Sequence, residues 1–182
     1  MMADSNAALI AFIGVLAGGY VNNFLAEDYR RFRDGAALAG ALAGELASHM
    51  AALPMLREMF VAMIAAIDRG EHPPFRYFDP PNDPVYESNV GKIGLLPSKA
   101  AEDTAFAYQQ IRAFRVNFAI VLASHEQMNG DEIKRRLIGC VDAINRGDQR
   151  LQELIANLKL LAKQRYLDAR TNRLRAMFSS IG

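Results

Sequence analysis

Residues 7–26 read AALIAFIGVLAGGYVNNFLA, and residues 27–34, which follow at once, read EDYRRFRD. The first stretch holds no charged side chain in twenty positions; the second holds six in eight. A helix of that length rises about 30 Å, the thickness of a bilayer's hydrocarbon core. The pattern predicts an N-terminal membrane anchor over residues 1–26. A buried core helix is the bland alternative, because the wholly uncharged apolar run, residues 7–21, is only fifteen long and Asn22-Asn23 weakens insertion. A cleaved signal peptide fits worse, since residues 1–6 carry Asp4 and no basic group. Arg30, Arg31 and Arg33 hold their side of the membrane in the cytoplasm, which leaves a short N-terminus outside. Gly14 and Gly18 form a G-x-x-x-G pair that lets two anchors approach closely, a route to a homo-oligomer.

Outward from the anchor, helical periodicity persists almost to the end. Leu38, Leu42 and Leu46 stack at i+4 spacing beside a small-residue stripe of Ala36, Gly40, Gly44 and Ser48. A second membrane span over residues 35–56 is a minority reading, because Glu45 and His49 sit in its middle and a central carboxylate costs roughly 2.5–3.5 kcal/mol. Pro54 is expected to kink or split this helix, and Arg69-Gly70 to end it. Residues 73–84 hold five of seven prolines and read as a loop. Residues 85–96 predict a short helix and a turn whose Tyr86, Ile93, Leu95 and Leu96 pack on the body. Pro97-Ser98 opens a long helix to about Met128, and Asp131 is the expected cap of the next. That last helix carries a coiled-coil-like alternation of threes and fours from Leu137 to Leu161, unbroken by Gly147. The expected fold is therefore all-α: residues 27–182 form an elongated antiparallel three-helix bundle. With directions alternating, the basic C-terminal segment would end far from the membrane.

That segment is charged asymmetrically. From Lys159 onward six basic residues stand against Asp168 alone, although the whole chain nets only +1. No nucleic-acid motif accompanies it, so a solvated helix end is expected and nucleic acid is not. One cysteine, Cys140, excludes an intrachain disulfide.

Chemistry is sparse. His125-Glu126 lacks the second histidine of a zinc protease helix, and Glu45 with His49 offers two ligands at i+4 without a third, read as a surface pair. Cys140 falls at a core position, Asn117 is read as a register-setting polar group, and Glu102, Asp103, Asp142 and Asp148 as surface charges. Gly91-Lys92-Ile93-Gly94 lacks the spacing of a phosphate loop. No catalytic residue, cofactor or metal is expected. If a functional surface exists, Tyr86, Ser88, Asn89 and Lys92 are where it is sought.

Those residues also carry a resemblance. Arg30, Arg31 and Arg33, then Ala43-Gly44-Glu45-Leu46, then Tyr86, Ser88, Asn89 and Lys92-Ile93-Gly94-Leu95-Leu96 resemble the pattern of a widespread group of small bacterial membrane-anchored helical proteins. The likeness covers residues 7–120 and departs at Pro54. It implies a topology, a single-pass protein of the bacterial inner membrane with its bulk in the cytoplasm, and no activity. The functional expectation is a membrane-anchored helical scaffold or protein-interaction module with an unidentified protein partner, not an enzyme. A two-span, pore-forming protein is the alternative.

Overall fold

The computed structural model describes residues 2–76 and 81–179 of the chain. Helix α1 (Met2–Tyr20) passes through five π-helical residues, Val21–Leu25, into α2 (Ala26–Asp68). Then come the short α3 (Pro84–Asn89) with a 3₁₀ stretch Val90–Leu95, α4 (Ser98–Ser124), α5 (Gly130–Lys163) and α6 (Tyr166–Ser179). The chain is all-helical; among the described residues there is no strand.

One helix is long and apolar enough to cross a membrane, and it begins a rod that runs without interruption from Ala8 to Asp68. A core helix would be covered, yet only 6% of its most apolar window is buried. Leu9, Ile10, Phe12, Ile13, Val15 and Leu16 are all more than half exposed. Gly14 and Gly18 likewise face open space. Beyond Gly35 the same rod changes character: Leu38, Ala39, Leu42 and Leu46 are buried.

Two apolar clusters make the core. One joins Leu42 and Leu46 of α2 to Tyr108 of α4 and to Leu154 and Leu158 of α5. The other joins Phe60 to Phe118 and Val121 of α4 and to Leu137, Cys140 and Ile144 of α5. Leu53 packs against both. This explains why Pro54, expected to kink or split the helix, leaves α2 unbroken. Its ring is exposed, and tertiary packing on either side outweighs one missing backbone bond.

The directions of the helices differ from the expected alternation. Gly35 lies against the Leu95 carbonyl, Glu45 meets Tyr108, and Phe60 meets Phe114 and Phe118, so numbers rise together along α2 and α4. Along α5 they fall: Ile67 meets Gly130, Arg57 meets Asp148, and Gly40 meets Ala162. The reason is the reach of the proline-rich connection. From Asp68 back to Glu45 is about 35 Å at helical rise, and fifteen residues, the number between α2 and α3, can span about 45 Å when extended. Helix α3 thus begins beside Glu45, and α4 starts again from the end of the body nearest the apolar helix. One consequence overturns an expectation: the start of the basic segment after Lys159 lies beside the foot of the apolar helix, not far from it. Tyr166 packs on Tyr29 and Phe32 at ring separations of 5.3 and 5.4 Å.

The remaining local expectations fare unevenly. Helix α5 passes through Gly147 as one piece, and Tyr86, Ile93, Leu95 and Leu96 do pack on the body. The cap of α5 is Asn129, whose side chain accepts from the Glu132 amide at 2.9 Å, rather than Asp131.

Candidate functional site

The polar residues that converge in the interior do so where α3 is pinned between α2 and α4. Pro84 at the first position of α3 suits a helix start, because its missing N–H leaves no orphan there. The next two amides still need acceptors, and Glu45 of α2 supplies both. Val85 N–H donates to Glu45 Oε1 at 2.8 Å and Tyr86 N–H to Oε2 at 3.0 Å. Tyr108 of α4 donates its hydroxyl to the same Oε2 at 2.5 Å. A carboxylate at a helix N-terminus also meets the positive end of the helix dipole. Burial first, and then the Glu45 carboxylate, push the Tyr108 phenol far above its ordinary value, which keeps it a donor.

Beside this carboxylate lies a second polar group. Asp83, buried, receives a bidentate pair from Arg115 of α4 at 2.6 and 2.9 Å. His49 Nε2, one turn beyond Glu45, stands 2.8 Å from Asp83 Oδ1 yet off the line needed for a hydrogen bond. Tyr86 stacks on Tyr108 with ring centroids 3.8 Å apart and planes 11° apart, and the His49 ring meets Tyr108 edge-on. Two long helices, α2 and α4, and the start of α3 are thus joined by two acids, each with donors already placed against it. This is an arrangement for holding α3 in position.

Glu45 and His49 are therefore not the surface pair expected. Among the described residues no three His, Cys, Asp or Glu side chains come together to hold a metal. Asp83 and Arg115 were missed altogether. The available signals were an Asp directly before a proline-led helix and a lone arginine on a largely apolar helix face. Of the sought surface of Tyr86, Ser88, Asn89 and Lys92, Ser88 and Lys92 are exposed and Tyr86 and Asn89 half-buried. Tyr86 faces the interior, and the Ser88 hydroxyl and Asn89 amide donate to the Pro84 and Val85 carbonyls. Asn117 does not set register between helices; its amide donates to Ala113 of its own helix at 3.0 Å. Asp103, read as a surface charge, is largely covered between Lys99 and Arg150, which hold its carboxyl below the usual range. Asp148 pairs with Arg57. His125 is half-buried against Phe75.

Cys140 occupies the core position expected, fully buried, with its thiol pushed up to about 12 by burial alone. The native thiol should resist iodoacetamide at pH 8 and react once the chain is unfolded, as mass spectrometry would register. Rapid native alkylation would show the core open there. A thiol raised in the fold binds its proton more tightly than in the unfolded chain. Its contribution to stability is complete below about pH 9 and is lost as pH rises toward 12.

Open cavities flank the body. One of about 870 Å³ lies beside the foot of the apolar helix, between the starts of α2 and α6, Gly94–Pro97 and the end of α5. Another of about 450 Å³ lies at the far end, around Phe75 and His125. No known protein family, characterised protein or solved structure matches this chain.

Proposed function

We propose that this chain is a single-span, membrane-anchored scaffold that presents a three-helix bundle, with α5 antiparallel to α2 and α4, for contacts with other proteins. The observation that carries the reading is the abrupt change along one unbroken rod. Its first third is apolar and bare, while the part after Gly35 is packed into a body. A bare apolar helix is stable in lipid, where its backbone groups are satisfied internally. In water the same side chains form a patch well beyond what monomers usually expose.

The arginine cluster favours a cytoplasmic body and an external N-terminus, in the manner of a bacterial inner-membrane protein. Gly14 and Gly18 give the anchor a face for self-association, hence a homo-oligomer. The body offers no reaction centre in this reading, since its converging polar groups serve to position α3. The two-span pore is disfavoured by the burial of Leu42 and Leu46 against α5 and by the bonds Glu45 makes.

The protein should stay in the membrane pellet after a carbonate wash. A Leu16→Arg variant, with a charge near the anchor's centre, loses about 2.5–3.5 kcal/mol of insertion and should move largely to the supernatant. Ser48, exposed on α2, gives the topology: a Ser48→Cys variant should label with a water-soluble maleimide from the cytoplasmic side. Wild-type release by carbonate would remove the anchor, and protection of Ser48→Cys in lipid would restore the hairpin.

A further inference from the structure

The return of α5 to the anchor end gathers charge that the sequence holds apart. Residues 27–34 and 159–175 together carry nine basic side chains against four acidic ones. Those described among the basic set, Arg30, Arg31, Arg33, Lys159, Lys163, Arg165 and Arg170, are all exposed. Helix α6 is fastened there: Tyr166 donates its hydroxyl to Asp28 at 2.8 Å, and its ring sits against Tyr29 and Phe32.

Ala169 and Asn172 of α6 line the 870 Å³ cavity together with Asn23, Phe24 and Arg31, so α6 borders a recess that reaches the foot of the apolar helix. Leu167 of α6 is 66% exposed, and the cavity's apolar lining includes Phe24, Phe32 and Leu95, with Arg31, Glu27 and Asp28 among its polar members. Arg30 pairs with Glu27 and Arg33 lies 3.9 Å from Asp34, which leaves a net basic excess at the foot of the apolar span, the sign that matches the negative surface of a leaflet.

We propose that this collar, formed by the Arg30–Arg33 segment and α6 around the cavity, docks on the anionic phospholipid headgroups of the leaflet facing the body. It rests on the anchor reading above and adds to it a lipid class and a role for the C-terminal helix. Docking would fix the angle at which the body leaves the membrane, since α6 and α2 would then touch the surface at separate points.

The test uses the full chain carrying Leu167→Cys labelled with bimane, in vesicles of phosphatidylcholine alone or mixed with phosphatidylglycerol. Buried Cys140 does not compete for the label. Quenching by a headgroup-level doxyl lipid is expected in the anionic vesicles only, and it should fade at 1 M salt, where the Debye length shrinks to about 3 Å. Each arginine near the surface is worth about fivefold, so replacing Arg165 and Arg170 with Gln should weaken docking about 25-fold. Equal quenching in both vesicles would overturn recognition of charge. A label that responds to inorganic phosphate in neutral vesicles would assign the collar to small anions and overturn the proposal. No quenching in a protein that resists carbonate would remove the collar and leave the anchor standing. Extraction by carbonate would sink both.

Discussion

Glu45→Ala should destabilise the body by about 4 kcal/mol. Three donors lose their acceptor together: the Val85 and Tyr86 amides and the Tyr108 hydroxyl. Hydrogen bonds to a charged group are worth about 1.5–3 kcal/mol each, and half-burial lets water restore part of that. In a domain of this size the loss corresponds to a melting point lower by roughly 8–16 °C, readable by circular dichroism in detergent. Glu45→Gln should fall about halfway, since its amide nitrogen would face an N–H that also donates. Tyr108→Phe keeps the stack on Tyr86 and loses only one bond, for about 1.5 kcal/mol. Hydrogen exchange gives the local signature, with the Val85 and Tyr86 amides losing protection before the rest of the body. A Glu45→Ala protein that melts like wild type would show that α3 is held by its apolar contacts alone.

How far the sequence discloses such a site depends on the range of the interactions. Helix α5 was legible through Gly147 because heptad-like spacing is local and one glycine costs only about 1 kcal/mol. The long helix after Pro97 was legible because proline marks a helix start by its own geometry, whereas Pro84, read as the end of the loop, in fact opens α3. The apolar length of the N-terminal helix was legible as a property of consecutive residues. The direction of α4 was not. A fifteen-residue connection can either turn back at once or run the length of α2, and nothing within it states which.

Everything that depends on that direction was hidden with it. Glu45 finds its partners 40 and 63 residues away, and Arg115 finds Asp83 at a separation of 32. In the sequence Glu45 is a polar interruption of an Ala/Leu stretch, which reads as a surface position. Only when α3 lies across α2 do its bare N-terminal amides require the carboxylate. The basic tail was misplaced by the same route: a chain that alternates direction three times ends at the far pole. Here α4 restarts near the anchor, so α5 ends there.

Phe60→Ala tests the other half of the core and should cost about 4 kcal/mol. Phe60 is fully buried, with ring centroids 4.9 Å from Phe118 and 5.7 Å from Phe114, both nearly edge-on. Truncation removes the apolar transfer energy, two aromatic contacts and the atoms that filled the space, a combination that costs 3–5 kcal/mol for buried phenylalanine. Phe60→Leu retains most of the volume and should lose much less. The more telling measurement combines the two sites. Glu45 and Phe60 lie about 22 Å apart along α2, in different clusters that share Leu53. Pairs at that distance usually add within about 0.5 kcal/mol, so the double variant should lose about 8 kcal/mol if the clusters are independent. A much smaller combined loss would mean that the first substitution already releases the second cluster. Leu53, next to the exposed Pro54, would then be the coupling point, and Leu53→Ala in the wild-type background should broaden the unfolding transition into two steps.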